Sequence, residues 1–467
     1  MNTRELALDT LLALERGEDY SHRLVKAVLD KYDYLDARDK SFVKRVTEGT
    51  LERQLELDYY LDGRSRLPVR KMRPLIRCLL RMSVYQLLYM DSVPDSAVCN
   101  EACKLAAKRG FQNLKGFVNG ILRNISKEKG SMPLPDEKRN PLEYLSVKYS
   151  MPEWFVELWQ DEYGREITET ILKSLLEVHP VSLRFSTSLS KEERKRLRSR
   201  IRNAGMELKR SRYLSDVYLL EHGELSALPG FKEGMCTVQD VSSALAVEAA
   251  EIGEGDFVVD VCAAPGGKSI LAAEKAWGGK VLARDISEEK IGRTEENIRR
   301  MHVENIEMEV FDGTRTDEAL VGKADVVLLD VPCSGLGVMG KKRDIKYRMT
   351  RENAESLTEL QKQIVRASAP YVRPGGTLVY STCTIHRQEN EDMVRYLTQE
   401  LAFEPVSLAG ILPEELLGDK RCLQEELRRA GKEYAAGLTD AEYDACIQLL
   451  PGYMEADGFF MARFIKK

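Results

Sequence analysis

From about residue 236 the chain alternates between short apolar runs and longer stretches with helical spacing. The apolar runs are FVVD, KVLARD, IEMEVFD, DVVLLD and TLVYS. This alternation predicts an α/β fold, a doubly wound and mostly parallel sheet with helices on both faces. We expect one of these helices to begin near Thr350 and to be stopped by Pro374, Gly375 and Gly376.

Length and charge limit the classes of protein that fit. A chain of 467 residues is long enough for about three domains. No apolar run approaches the roughly 18 residues that would span a bilayer. The charged opening MNTRELALDT lacks the apolar core of a secretory signal, so we expect a cytoplasmic protein with no membrane partner. The net charge is only −5, so nucleic-acid binding would need segregated basic surfaces.

The cysteine pattern excludes two further classes. The chain has nine cysteines, and none of them form a CxxC pair. This spacing argues against a disulfide framework and against a common zinc site. We therefore expect reduced thiols and no bound metal.

Residues 1–129 carry helical spacing and predict a helical bundle. The last part of this region, Lys104–Lys129, has seven Lys/Arg against one Glu, with Phe111 and Phe117 between them. Such a segment is typical of an RNA-facing surface. The alternative, which the segment alone favours, is a solvated helix face whose aromatic rings belong to the core. Residues 130–141 mix glycine, proline and charge, and indicate a linker.

Residues 142–235 predict a small α+β module. Two short strands, VSLRFST and DVYLLE, flank a stretch in which ten Lys/Arg face three Glu. A module with this charge can hold RNA through its phosphates, with little reading of sequence. A polar helix with no ligand fits the stretch equally well. Residues 236–467 then form the third predicted domain, which contains the alternating pattern.

The loop after FVVD predicts a cofactor site. AAPGGKS resembles a phosphate-binding loop, but Cys262 stands where that motif requires its first glycine, and no GxGxxG follows a strand. Gly266 and Gly267 allow close backbone approach, and the helix that follows can meet a carboxylate with its N-terminal NH groups. A site for a ribose without a pyrophosphate suggests S-adenosylmethionine.

Three carboxylates follow this loop at predicted strand ends. Asp285 stands about 20 residues beyond the loop, where a ribose-binding carboxylate is expected. Asp312 can accept from an adenine amino group, and Asp330 can lie beside the methionine ammonium or the target base. A single such aspartate is as often a structural cap, but three in order after a glycine loop favour the cofactor.

Two further strands run into cysteines, Cys333 after VVLLD and Cys383 after LVYS. Ligands of an open parallel sheet lie outside the carboxyl ends of its strands, so both thiols can share one crevice with the loop. Carbon 5 of cytosine accepts a methyl group only after a nucleophile adds to carbon 6, and a base must then remove the carbon 5 proton. Either cysteine alone reads as a small buried hydrophobe; together they predict cytosine-5 methylation. The spacing leaves open which thiol attacks.

The motifs DVCAAPGGKS, DVPCSGLGVM, KRDIKYR and YSTCTIHRQENE resemble the NOL1/NOP2/Sun family of RNA cytosine-5 methyltransferases. The resemblance covers most of residues 236–467, and the helical region resembles a NusB-like domain. It implies a Rossmann-like S-adenosylmethionine methyltransferase that forms 5-methylcytosine in small-subunit (16S) ribosomal RNA. It also implies that Cys383 is the nucleophile and that Cys333 assists product release.

The same resemblance implies the cofactor-binding residues. They are Cys262, Ala263, Ala264, Pro265, Gly266, Gly267, Lys268, Asp285, Asp312 and Asp330. The chain departs from the family pattern at Arg343, where proline is usual, and at Gly452, where histidine is common. Neither position touches the expected chemistry.

Other functions stay open at this point. One is a non-enzymatic, antitermination-like RNA-binding protein in which the helical region acts alone. Another is cytosine-5 methylation of a different RNA. Exocyclic nitrogen methylation is disfavoured because DVPC replaces the [DN]PP[YF] motif, and the basic segments and the TCT motif favour RNA over DNA. We expect ribosomal RNA as the partner and a monomeric protein.

Overall fold

A computed structural model describes residues 2–433, 435 and 437–467, apart from the side chain of Ser226. Its helices are, in chain order, α1 Thr3–Glu15, α2 Ser21–Lys31, α3 Ala37–Glu52, α4 Gln54–Asp62, α5 Pro74–Tyr89, α6 Asp95–Lys108, α7 Lys115–Glu128, α8 Pro141–Lys148, α9 Glu153–Tyr163, α10 Arg165–Ser174, α11 Lys191–Asn203, α12 Val241–Glu248, α13 Gly267–Lys275, α14 Glu288–Arg300, α15 Ile345–Arg348, α16 Arg351–Ser368, α17 Glu391–Gln399, α18 Glu414–Arg429 and α19 Asp440–Asp444. Its strands are β1 Val181–Phe185, β2 Glu207–Arg210, β3 Val217–His222, β4 Cys236–Val238, β5 Phe257–Asp260, β6 Lys280–Asp285, β7 Ile306–Val310, β8 Ala324–Asp330, β9 Val372–Thr382, β10 Glu404–Pro405, β11 Cys446–Leu449 and β12 Phe459–Ile465.

The fold separates into two compact units. The first contains the residues up to Asp161 together with Met339–Arg348, and the second contains Glu162–Val338 and Met349–Lys467. No described helix is long and apolar enough to cross a membrane. The predicted division into three domains stays a prediction.

The first unit confirms the predicted helical region. Helices α1 to α7 bury one continuous apolar core, to which α1 contributes Ala7 and Leu11 and α5 contributes Leu79 and Met82. Burial of such a stripe is the main source of helix stability in proteins. The rings of Phe111 and Phe117, at the basic end of this region, pack against the same core. The aromatic residues of the basic segment therefore belong to the core. Contact between its charged side chains and RNA stays a prediction.

A segment distant in sequence completes the first unit. We call Met339–Arg348 the anchor segment, because its buried polar groups bind helix ends. The Lys346 ammonium is 4% exposed and donates to the carbonyl oxygens of Glu52 and Ser150, each at 2.6 Å. Burial lowers the pKa of Lys346 to about 7. The two carbonyls replace the water that this group would bind in solution.

Two more charged residues of the anchor segment bind the same helices. Asp344 accepts hydrogen bonds from the Ser21 backbone NH at 3.1 Å and from the Ser21 hydroxyl at 2.5 Å. It thereby caps the N-terminus of α2, whose own N-cap side chain makes no such bond. Arg343, the departure from the family pattern, pairs with Glu48 at 3.2 Å and Glu52 at 3.0 Å.

A four-stranded antiparallel sheet occupies residues 181–238 of the second unit, in the order β2-β3-β1-β4. Helix α11 begins with a capping box formed by Ser190 and Glu193 and buries Leu197 and Ile201 against this sheet. Its other face is cationic and mostly exposed. Strand β4 belongs to this small sheet because it pairs with β1.

The large sheet confirms the doubly wound, mostly parallel architecture. Its order is β10-β12-β9-β8-β5-β6-β7, with β11 paired to β12. The strands from β5 to β9 are parallel, and β12 adds to β9 in the antiparallel direction. After β5 the chain adds β6 and β7 on one side of β5, and it then adds β8 and β9 on the other side. The strand order therefore reverses between β5 and β8, the position where such sheets bind ligands.

One expected boundary is wrong. Helix α16 has Thr350 as its N-cap, as predicted, but it ends at Ser368. Pro370 stops it, because proline cannot donate to a helical ladder. The run Pro374–Gly376 lies inside β9, where Gly375 NH donates to the Lys466 carbonyl at 2.8 Å.

Candidate active site

The carboxyl ends of β5, β8 and β9 lie side by side, and each continues into one predicted motif. The cofactor loop follows Asp260 of β5, the Pro-Cys loop follows Asp330 of β8, and Cys383 follows Thr382 of β9. The register pairs Asp330 with Ser381, so β8 and β9 end at the same level. Sheet topology alone thus assembles the predicted groups at one edge.

The two predicted thiols are in direct contact. Cys333 Sγ and Cys383 Sγ lie 3.0 Å apart, and both side chains are partly exposed. Contact with Cys383, followed by burial, raises the pKa of Cys333 well above its ordinary value. A thiol held protonated beside a second sulfur can donate to it, and this stabilises the thiolate form of that sulfur.

The cofactor loop, residues 262–268, runs from β5 into the first turn of α13. Gly266 has φ +93°, and a Cβ at this position would lie 2.4 Å from Thr294 Cγ2, so only glycine fits. Behind the loop, the Ser269 hydroxyl donates to the buried Asp260 carboxylate at 2.6 Å. Gln239 donates to the Gly267 carbonyl at 3.1 Å. The loop is therefore held from both sides.

Burial acts on two titratable groups at the start of this loop. It raises the pKa of the Asp260 carboxyl to about 7 and the pKa of the Cys262 thiol above its ordinary value. The Cys262 side chain packs against the apolar core of the sheet. A molecule bound at this loop would therefore contact the backbone of Cys262 and not its sulfur.

The three predicted carboxylates lie at or just beyond successive strand ends. Asp285 ends β6 and accepts from the Ala264 NH at 3.4 Å, which ties it to the cofactor loop. Asp312 lies two residues beyond β7 and accepts from the Thr314 hydroxyl at 2.7 Å and its NH at 3.0 Å. Those bonds lower the pKa of Asp312.

Asp330, the third of these carboxylates, ends β8. It accepts from the Lys268 ammonium at 2.8 Å and from the Ser381 hydroxyl at 3.0 Å. It therefore ties the cofactor loop to the end of β9, the strand that leads to Cys383.

The Lys268 side chain is a feature that sequence reasoning missed, because only its backbone was assigned. Burial acts to lower the pKa of Lys268, but the charge and hydrogen bond of Asp330, together with the charge of Asp260, outweigh it and the pKa is raised. The charge of Cys383 contributes to the same increase. Coulombic interaction is reciprocal, so the ammonium stabilises a thiolate at Cys383 in turn. The signal available in the sequence was a lysine at the N-terminus of α13, close to strand ends that carry thiols.

Comparison with known proteins agrees with this geometry. A sequence profile of the family described as 16S rRNA methyltransferase RsmB/F matches residues 247–465, and a profile of the NusB family matches residues 1–127. The Bacillus subtilis protein named probable ribosomal RNA small subunit methyltransferase B is 33% identical over 470 residues, which cover 100% of this chain and 99% of that protein. The chain belongs to the ribosomal RNA small subunit methyltransferase B family.

Two further proteins match this chain along nearly their full length. A Synechocystis protein, also named probable ribosomal RNA small subunit methyltransferase B, is 29% identical, with 100% of both chains covered. The crystal structure of PH0851 superposes with a TM-score of 0.78 at 24% identity, covering 100% of this chain and 99% of that one. At this identity the superposition shows a shared fold. Membership in the family makes the chain an S-adenosylmethionine-dependent methyltransferase with a NusB-family region at its N-terminus.

Proposed function

We propose that the protein methylates carbon 5 of a cytosine in small-subunit ribosomal RNA, with Cys383 as the nucleophile and Cys333 as the group that assists product release. The observation that carries this proposal is the 3.0 Å separation of the two sulfurs at the strand edge that also bears the cofactor loop. Methylation of an exocyclic nitrogen has no use for two thiols in contact.

The residues at this edge fit S-adenosylmethionine. Asp285 and Asp312 are carboxylates at the ends of neighbouring strands, and each carboxylate has lone pairs beyond those used by its present donors. The backbone of residues 262–268 would hold the methionine part, because Gly266 and Gly267 open α13. When bound, the cofactor supplies a methyl group on a positively charged sulfur.

The chain's own groups perform the remaining chemistry. The Cys383 thiolate forms a bond to carbon 6, and the ring's double-bond electrons make carbon 5 nucleophilic. After carbon 5 has received the methyl group, its proton must leave. The electron pair of that C–H bond then restores the ring double bond and expels Cys383 as a thiolate. Cys333 is the group that accepts the proton.

Contact between the sulfurs supports this division. Before attack, Cys333 donates its proton toward Cys383 and favours the thiolate there. Once Cys383 is a thioether, the contact that most raises the pKa of Cys333 is gone, and Cys333 ionises more readily. The same pair can therefore serve first as a thiolate stabiliser and then as a base.

Two basic surfaces support RNA as the substrate. One is the exposed cationic face of α11 in the second unit, and the other is the basic segment Lys104–Lys129 in the first. Cationic faces of this kind bind phosphates without reading bases, so the target cytosine must be chosen elsewhere.

The test is incubation of the protein with labelled S-adenosylmethionine and ribosomal RNA that lacks the modification, followed by mass spectrometry of the digested nucleosides. We expect label in 5-methylcytidine. Label in N4-methylcytidine, or no label while RNA still binds, would contradict the proposal. The second result would favour the antitermination-like alternative.

The division between the thiols has its own test. Cys333→Ala should leave an RNA adduct that survives a denaturing gel, because attack proceeds and release does not. Adducts from Cys383→Ala instead would reverse the two roles.

A further inference from the structure

Glu389, within the motif YSTCTIHRQENE, is a fully buried carboxylate to which neither the family resemblance nor the proposed chemistry gives a role. It is 0% exposed and lies six residues beyond Cys383. Its Oε2 accepts the Ser334 backbone NH at 2.9 Å, and its Oε1 accepts the Ser334 hydroxyl in a short hydrogen bond. Ser334 directly follows Cys333, so this carboxylate holds the Pro-Cys loop by the residue next to its thiol.

The same hydroxyl reaches the other thiol loop. Ser334 Oγ lies 2.7 Å from the hydroxyl of Thr384, which directly follows Cys383. A second link joins the loops at the backbone, where Gly337 NH donates to the Cys383 carbonyl at 3.1 Å. The residues after both sulfurs are therefore joined through one hydroxyl that Glu389 holds.

Glu389 is itself fixed from two further directions. Gln361 of α16 donates through Nε2 to Glu389 Oε2 at 2.8 Å and to the Pro332 carbonyl at 2.9 Å. The Tyr380 hydroxyl donates to the Glu389 carbonyl at 2.6 Å. Burial raises the pKa of Glu389, and the bonds from Ser334 oppose that increase. Placing a carboxylate in this interior is costly, and the three hydrogen bonds that it accepts, two from Ser334 and one from Gln361, offset the cost.

We propose that Glu389 is a positioning residue that sets the separation of the Cys333 and Cys383 sulfurs through Ser334 and Thr384. The role in catalysis rests on the proposed function, but the positioning itself does not. Two thiols that must exchange a proton and then meet one ring need their distance fixed to a fraction of an ångström. Ser334 and Thr384 directly follow the two cysteines, so the contact between their hydroxyls joins the loops beside both sulfurs.

The variants follow from the contacts. Glu389→Ala removes the acceptor. Glu389→Gln keeps the shape and one acceptor oxygen, and its amide can donate to Ser334 Oγ while that hydroxyl donates to Thr384. The matched control is Glu391→Gln, a buried carboxyl on the same segment whose described hydrogen bonds include neither Ser334 nor Thr384.

The first measurement is steady-state methylation kinetics. We expect Glu389→Ala to lower kcat by about 10²-fold, the usual cost of misplacing reacting groups by about 1 Å, while KM for RNA and cofactor stays within about twofold. Glu389→Gln should recover most of the rate, and Glu391→Gln should keep it. A structural defect elsewhere would instead raise KM or lower the thermal midpoint of Glu389→Ala. In that case Glu389→Gln would not restore the rate of methylation.

The second measurement does not depend on methylation. Diamide oxidises two neighbouring thiols to a disulfide and takes up their two electrons and two protons as it becomes a hydrazine. Mass spectrometry of the Cys333–Cys383 peptide pair gives the rate of this closure. We expect Glu389→Ala to slow it at least fivefold, and Glu389→Gln and Glu391→Gln to match the parent.

Unchanged closure in a folded Glu389→Ala variant overturns the proposal, whatever the methylation assay gives. Slowed closure in a protein that makes no 5-methylcytidine keeps the positioning role and removes the proposed function instead. If Glu389→Ala does not fold, closure at the parent rate in Thr384→Val, which lacks the cross-loop hydroxyl, overturns it equally.

Discussion

The thiol loops and the anchor segment lie close in sequence, yet they use buried polar groups in opposite ways. Cys333 and Cys383 are partly exposed, and the residues that follow them make the hydrogen bonds that hold their loops. Lys346, thirteen residues beyond Cys333, buries its ammonium on two carbonyl oxygens. Both Cys333 and Lys346 have displaced pKa values.

The difference lies in which atom is left accessible. In the anchor segment the titrating atom, the Lys346 nitrogen, is itself hydrogen-bonded to two carbonyl oxygens. Its displaced pKa therefore reflects burial at a structural contact. At the thiol loops the bound atoms belong to the supporting residues, and the two cysteines themselves stay partly exposed. A displaced pKa marks a candidate reactive group only where the titrating atom is still available to a substrate.

The largest expected effect is at the thiols. Cys383→Ala should lower methyl transfer by roughly 10⁴-fold or more, because it removes the proposed nucleophile for carbon 6. The thermal midpoint and calorimetric cofactor binding should stay near those of the parent. Cys422→Ala, at an exposed cysteine, is the control and should keep full activity. Substantial activity in Cys383→Ala would mean that the thiol loops, like the anchor segment, have a structural and not a catalytic role.

At the anchor segment the same reasoning predicts a change of stability with little effect on chemistry. Lys346→Met should destabilise the fold by about 2 kcal/mol, because two buried carbonyls lose their donor. It should also change the pH dependence. The folded protein releases the Lys346 proton near pH 7, whereas the unfolded chain keeps it to about 10.5, so the parent gains stability as pH rises between these values.

The variant should lack this gain, and denaturation midpoints at pH 7, 8 and 9 would reveal it. Lys342→Met, at an exposed lysine of the same segment, should keep the parent slope. Equal slopes in the parent and Lys346→Met would mean that the ammonium stays charged when buried.

The Lys268 ammonium shares properties of both regions, since it is paired and yet lies near a thiol. Lys268→Met should lower activity about tenfold at neutral pH, because one unit of thiolate pKa is a factor of ten. The loss should shrink as pH rises, since alkali then ionises Cys383 without help. Lys275→Met, on the same helix and paired with Glu248, serves as control. A loss independent of pH would assign Lys268 to cofactor binding alone.

The smallest effect concerns the cap that the anchor segment supplies to α2. Asp344→Ala should cost about 1 kcal/mol, the usual value of an N-cap. Amide exchange in the first turn of α2 should increase, with other helices unaffected. Asp344→Asn, which keeps an acceptor, should lose less. Equal losses in both variants would point to charge and not to capping.

Much of the thiol site could be predicted because its signals are local. Each apolar run ends in the residues that matter, and parallel strands bring their carboxyl ends to one edge, so Cys333, Cys383 and the cofactor loop had to be neighbours. The roles of the cofactor residues and of the two thiols stay predictions.

The supports of the site could not be predicted, since they arise from distant contacts. Nothing in HRQENE distinguishes Glu389 from Glu391, and the bond to Ser334 joins residues 55 positions apart. The anchor segment shows the same limit, because nothing in the charged stretch KRDIKYR indicates that Lys346 is buried. The misplaced end of α16 has a simpler cause, in that Pro374–Gly376 has the composition of a turn and yet lies inside β9, where Gly375 and Gly376 hydrogen bond with Lys466.

The backbone link between the thiol loops leaves no space for a side chain. A Cβ at Gly337 would lie 1.9 Å from the Gly458 carbonyl oxygen, one residue before β12 begins. A single added methyl group would therefore wedge the final strand away from the loop that carries Cys333. Alanine, the substitution commonly chosen because it disturbs least, would be among the most damaging at this position, and natural variation there should be confined to glycine.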